Sequence, residues 1–271
     1  MSKTPKFEIL CVTMNQKDFS KVEDMNIHSN VLFANQADTT AFESKDFDGF
    51  TARMITTNTR GVGINRNLAL SYANAEFCLF ADDDVTYVDD LEQIVVNEFE
   101  KHTDADIFIF HLETEDKQRK QVKYSKTHKC GHFARMPWGG CRIAVRLSSI
   151  KKANVWFTTL FGGGTVFPSG EDSMWLTDAK NKGLTFYVSD KTIGKVAMDD
   201  SSWFSGYNEK FYFAKGAFYS AVHPKTILLW KLYFAFRTRN MTKMPLSDKM
   251  KWMKIGQKGY KNMMAYEKFI K

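Results

Sequence analysis

The stretch "AEFCLFADDDVTY", residues 75–87, sets four consecutive apolar residues against three adjacent aspartates. Phe77, Cys78, Leu79 and Phe80 form a continuous apolar run, the pattern of a strand buried on both faces. Asp82, Asp83 and Asp84 then emerge at its carboxyl end, the edge at which open α/β sheets bind ligands. Three crowded carboxylates repel one another and raise one another's pKa unless something positive lies among them. A divalent cation held by carboxylate oxygens, with a phosphate on its far side, would satisfy them. A solvated acidic turn leading into the next helix would carry the same residues, and Asp89 and Asp90 suit that role before "LEQIVVNEFEKH".

Working outward from this stretch, "FEILCVT" (7–13) and the run at 31–35 have the same buried-strand character. "GINRNLALSYA" (63–73) carries its apolar residues at helical spacing, "LEQIVVNEFEKH" follows as a helix, and "ADIFIFHLE" as a strand. Strands alternating with helices predict a parallel sheet covered on both faces. Beyond residue 113, "QVKYSKTH" alternates like an exposed strand and "AVRLSSIKKA" suggests a short helix. "GGGTVFPSG" (162–170) suggests a mobile loop. Its glycines lack the GxxxxGK[ST] spacing of a phosphate-binding loop. "EDSMWLTDAKNKG" then predicts a helix with acids in its first turn and Gly183 at its end, followed by strand "LTFYVS".

The chain of 271 residues carries a net charge of +7, unevenly spread. Residues 207–271 hold 14 Lys+Arg against 3 Asp+Glu, a balance of +11, which leaves −4 for the first 206. The expected organisation is a catalytic domain over 1–206, divided near residue 113, and a basic, aromatic, helical extension over 207–271. Basic extensions meet nucleic acid, anionic lipid or acidic polymers. The N-terminal "MSKTPKFEILCV" lacks the basic start, long apolar run and cleavage site of a signal peptide. Cys11, Cys78, Cys130 and Cys141 form no CxxC pair, as expected of reduced thiols in a cytosolic protein. "HKCGH" offers His128, Cys130 and His132 to a metal, but no second ligand pair follows at zinc spacing.

Together, "GVGINRNLALSYANAEFCLFADDDV" and, some ninety residues later, "GEDSMW" resemble glycosyltransferase family 2, the inverting nucleotide-sugar enzymes of GT-A fold. "SSWFSGYNEKFYFAKGAFYSAVHPK" is further similar to the C-terminal part of bacterial members that build surface polysaccharides. The resemblance spans roughly residues 7–220. It implies an α/β GT-A fold, a mixed but mainly parallel sheet flanked by helices. It also implies a nucleoside diphosphate sugar donor, most simply a UDP-sugar, a glycan or lipid-linked glycan acceptor, and Mn2+ or Mg2+.

On that basis Asp84 contacts the metal with Asp82 nearby, and Asp82 and Asp83 approach the ribose. Thr13 and Asn15 line the base pocket, with Asn35, Gln36 or Asp38 beside them, and Arg66 lies against the nucleotide. Asp172 is the expected catalytic base, since inversion needs one carboxylate to accept the acceptor's proton. Glu171 would hold the acceptor or raise the pKa of Asp172, and Trp138, Gly139 and Gly140 belong to the acceptor pocket. Two departures stand out: "ANQAD" replaces an acid at the exit of the second strand, and Met198 stands near a position where relatives place a metal-binding histidine.

Two other classes fit parts of the sequence. "LFADDDVT" matches the DxDxT pattern of haloacid-dehalogenase-like phosphatases, with Asp82 as nucleophile and Asp84 as acid, although that motif ends a first strand. A non-catalytic protein holding nucleic acid by its basic end is the other, but no nucleic-acid-binding motif is visible and no nucleic acid partner is expected. The basic extension instead predicts docking on the cytoplasmic face of an anionic membrane. "TILLWKLYFAFRTRN" is too short to span a bilayer, and Met250, Met253, Ile255 and Tyr260 are interspersed with lysines.

Overall fold

A computed structural model of the chain describes residues 4–114, 123–131, 139–196 and 206–270. It divides into two compact units, Met1–Thr158 with Asp172–Asp199, and Thr159–Glu171 with Asp200–Lys271. The first runs β1 (Phe7–Met14), α1 (Lys21–Asp24), β2 (Val31–Gln36), β3 (Ala41–Asp46), β4 (Thr51–Thr57), α2 (Val62–Tyr72), β5 (Phe77–Asp82), β6 (Val85–Tyr87) and α3 (Leu91–Lys101). It continues through β7 (Ile107–Thr114), β8 (His128–Lys129), β9 (Ile143–Arg146), α4 (Leu147–Ala153), α5 (Glu171–Asn181) and β10 (Phe186–Val196).

The strands form one mixed sheet in the order β3-β4-β2-β1-β5-β9-β7-β10-β6, with β8 beside β10. The neighbours β4, β2, β1 and β5 run parallel. Their apolar runs are continuous because both faces are covered. Successive residues alternate between layers: Ile9, Phe33 and Leu79 enter one core, Leu10, Leu32 and Phe80 the other. The expected α/β architecture is the one observed, with helices on the faces of the sheet.

Four segments differ from expectation. Ile143–Arg146 is a strand, inserted antiparallel between β5 and β7, and only the following residues form the short helix α4. Its run "IAVR" is too short to separate from a helix by periodicity. Residues 41–46 and 51–57 pair as an antiparallel hairpin at the sheet edge. β3 is almost wholly solvated, so no apolar alternation marked it. Of "QVKYSKTH", residues 123–127 are not strand and β8 begins only at His128; residues 121 and 122 lie outside the described ones.

The second unit contains α6 (Glu209–Val222), α7 (Ile227–Arg237) and α8 (Leu246–Lys261). α6 and α8 meet backbone to backbone. A Cβ on Gly216 would lie 2.1 Å from the Met253 carbonyl oxygen, and one on Gly256 1.9 Å from that of Phe213. Only glycine permits such an approach. Trp252 and Met253 are buried there, while Met250, Ile255 and Tyr260, expected to face a membrane, are half-buried. The 162–170 loop is likewise anchored. Phe161 and Phe167 are fully buried, their rings 4.8 Å apart, and Phe167 packs on Phe213 and Tyr260 within this unit.

Candidate active site

The parallel strands end together, and the polar side chains at their carboxyl ends converge. β1 contributes Thr13, whose hydroxyl donates to the Asp83 carboxylate at 2.7 Å. β5 contributes Asp82, and the turn into β6 contributes Asp83 and Asp84. Asp172 lies in the first turn of α5. A buried guanidinium from α2 ties these elements together. Arg66, 3% exposed, donates through Nη2 to Asp82 Oδ1 at 2.9 Å and through Nη1 to Asp172 Oδ1. The second Asp172 oxygen accepts the Gly140 backbone N–H at 2.8 Å. Arg66 also lies over the Phe157 ring, 5.3 Å from its centroid. The planar fork of arginine suits such a two-carboxylate bridge in a way that a lysine ammonium does not.

The flanking asparagines explain how α2 holds this arginine in place. Asn65 is buried and donates to the Ala34 and Thr13 carbonyls, pinning the helix to the ends of β2 and β1. Asn67 exchanges two hydrogen bonds with the Phe157 backbone, at 2.9 and 2.8 Å. A Cβ on Gly63 would lie 2.1 Å from the Thr158 carbonyl oxygen, and one on Gly140 2.7 Å from the Arg66 guanidinium. Both glycines let backbone approach where any larger residue would block it.

The electrostatics favour a base and a cation. Burial lifts the Asp172 carboxyl above its usual range, against the lowering pull of Arg66, and the Asp82 charge raises it further. The like charge foreseen from Glu171 is thus supplied by Asp82. Burial also raises Asp84, reinforced by Asp82 and Asp83. The positive charges sought among the aspartates are Arg66 and Lys21, whose Nζ donates to the Asp83 carbonyl at 3.2 Å. Among the described residues no group of three or more His, Cys, Asp and Glu stands ready around a metal. The donor chemistry nevertheless fits a hard divalent cation: an Asp84 carboxyl raised by like charge is the group a cation would relieve, with Asp82 beside it.

Other expected residues fall as follows. Asn15 adopts a left-handed turn after β1, with φ 54°, and is exposed. Asn35 is fully buried, and its amide is used on both backbone groups of Gln16 and on Thr56, so it shapes the loop after β1. Gln36 donates to the Gly61 carbonyl. Asp38 is exposed and pairs with Arg60, which also donates to the Ala37 and Thr59 carbonyls. Gly139 borders Asp172, a Cβ there lying 3.8 Å from Oδ2. Glu171 counts with the second unit, where its charge acts on Lys215, a half-buried lysine whose pKa falls with desolvation. Trp138, His132 and Met198 lie outside the described residues. Asn65, Asn67, Lys21 and Arg60 were not anticipated. The one available signal was that Asn65 and Asn67, weak helix formers, flank an arginine within an otherwise apolar helix.

Comparison with known proteins bears out the resemblance. Residues 34–151 match the family model described as Glycosyl transferase family 2. No curated protein sequence matches the chain. Among solved structures, residues 1–349 of S. aureus TarS in complex with UDP-GlcNAc align over 96% of this chain and 93% of that one, with TM-score 0.57 and 14% identity. The same protein in complex with UDP gives TM-score 0.58 and 13% identity over the same shares. These likenesses identify the fold as GT-A-like. The Asp-rich motif ends the fifth strand in chain order, not the first strand that the phosphatase pattern requires.

Proposed function

We propose that the chain is an inverting glycosyltransferase that moves a sugar from a nucleoside diphosphate donor, a UDP-sugar, to a hydroxyl of a glycan or lipid-linked glycan in bacterial surface-polysaccharide synthesis. The observation that carries this is Arg66, which joins the Asp-rich end of β5 to Asp172 through one guanidinium. A donor-binding edge and a buried, basic carboxylate are thereby held in fixed relation. The family match over 34–151 and a GT-A-like neighbour captured with UDP-GlcNAc support the donor class.

In this reaction Asp172 accepts the proton of the acceptor hydroxyl as that oxygen attacks the anomeric carbon. The bond from that carbon to the diphosphate oxygen breaks, and the nucleoside diphosphate leaves with its electron pair. Arg66 and the Gly140 N–H orient the two Asp172 oxygens for this, and the raised pKa makes the carboxylate a better base. Thr13 fixes Asp83 at the donor edge. Mn2+ or Mg2+, when bound, would neutralise charge gathering on the departing diphosphate. Asp84 with Asp82 would hold it.

Thermal shift with UDP, UDP-GlcNAc and other nucleotide sugars, with and without Mn2+, tests the donor class and the cation together. The wild type is expected to gain stability from a UDP-sugar and Mn2+ jointly. Asp84→Ala is expected to fold yet lose the Mn2+-dependent part of that gain. A wild type indifferent to every nucleotide sugar, or an Asp84→Ala variant with the full gain, contradicts the assignment.

A further inference from the structure

α7 turns a broad apolar face outward. Leu228, Leu229, Leu232, Tyr233 and Phe236 are 58%, 66%, 45%, 39% and 61% exposed. At 3.6 residues per turn these five occupy one arc of about 140°. Lys231 and Ala235, outside that arc, are buried, and the Lys231 ammonium donates to Gln257 of α8 at 2.9 Å. The lysine that interrupts the apolar run in sequence therefore does not interrupt it on the surface. Scattered exposed apolar residues are ordinary, but a contiguous stripe of large ones marks an interaction site.

The rim of this face carries charge of one sign. From His223 to Ser247 the chain holds five Lys and Arg and no Asp or Glu. Apart from Lys231 the cations are exposed: Lys225 precedes α7, Arg237 ends it, and Arg239 and Lys243 follow. Arg239 lies over the exposed Phe236 ring, 4.2 Å from its centroid, and Arg237 donates to the Tyr233 hydroxyl at 3.2 Å. Met241 and Leu246 extend the apolar surface past the helix end and are each 51% exposed.

We propose that this face of α7 docks the protein on an anionic lipid bilayer, with the helix lying flat at the interface. Eleven residues span about 16 Å, half of the ~30 Å hydrocarbon core, and among the described residues no helix is long and apolar enough to cross. The large apolar side chains enter the acyl boundary while the surrounding cations meet the headgroups, the arrangement of interfacial helices. A second copy would bring the same basic rim against itself. A soluble acidic polymer would engage the cations but leave the leucines and Phe236 in water. Of the two stretches expected at the membrane, 226–240 and 241–271, the first thus supplies the exposed apolar face, whereas Trp252 and Met253 of α8 are buried. Docking by α7 stands independently of the sugar-transfer proposal.

Co-sedimentation of the full chain with vesicles tests it, comparing phosphatidylglycerol mixed into phosphatidylcholine with phosphatidylcholine alone. The wild type is expected to sediment with the mixed vesicles, less so as salt rises. The double variant Leu229→Glu/Phe236→Glu changes only exposed side chains; it is expected to keep the wild-type melting midpoint and nucleotide affinity while its partition falls at least tenfold. Arg237→Gln/Arg239→Gln is expected to lose the preference for anionic vesicles and serves equally should the first variant fold poorly. A wild type that stays in solution beside mixed vesicles at low salt overturns the proposal. So does either variant binding as the wild type does, or a stable dimer that the double variant dissociates.

Discussion

Arg66 does at residue scale what three adjacent aspartates require. Removing a buried guanidinium that bridges two carboxylates leaves the like charges of Asp82 and Asp172 facing each other without their common partner. Its partner Asp172 is only 19% exposed at the side chain, and burial with the Asp82 charge lifts its pKa despite the ion pair. The sign for activity follows directly. As the proposed base, Asp172 must be ionised to take a proton, so turnover is expected to be lost as pH falls through its raised pKa. The acid limb of kcat/KM is expected above the ordinary aspartate value of about 3.9. A profile measured in the free-enzyme regime checks this, and an acid limb at or below the ordinary value contradicts it.

At the scale of elements, α2 is the helix whose sequence was most informative and least fully understood. Its apolar spacing identified it, and the resemblance singled out Arg66. The clamping roles of Asn65 and Asn67 passed unnoticed because polar residues on a helix are usually solvated, whereas these two hold backbone on either side of Arg66. β1, β2 and β5 were legible as continuous apolar runs because both faces are buried. β3 and β9 were not, the first being exposed and the second four residues long. Asp172 and Asp82 were legible as members of motifs. Their connection through one arginine, 106 positions from Asp172, has no local signature. Asn35, whose position suggested a base contact, engages its amide with Gln16 and Thr56, contacts that the sequence does not signal. The element-scale prediction concerns Gly140. A methyl there would meet the Arg66 guanidinium at 2.7 Å, a group fixed by two carboxylates and unable to swing away. Gly140→Ala is expected to destabilise by about 1–3 kcal/mol, the usual cost of overpacking, and to lower turnover at least tenfold; an unchanged melting midpoint and rate contradict the bridge.

For the whole molecule, two units share one chain unevenly, the second taking residues 159–171 as well as the C-terminal helices. Within the basic stretch 207–271, α8 contributes Trp252 and Met253 to the interior of its unit and meets α6 at Gly216 and Gly256. Deleting residues 241–271 is therefore expected to unfold α6 and α7, seen as lost helical signal beyond the deleted residues and premature melting. A truncated chain that keeps the helicity of α6 and α7 contradicts this packing. The central claim is that the full chain transfers sugar with Asp172 as base, and its most direct test is Asp172→Asn. The amide preserves size and can still accept the Gly140 N–H, while it can no longer take a proton. Turnover of UDP-sugar with an accepting glycan, measured beside donor affinity by calorimetry, is expected to fall by about two to four orders of magnitude with affinity nearly unchanged. Near-normal turnover in Asp172→Asn would contradict the account.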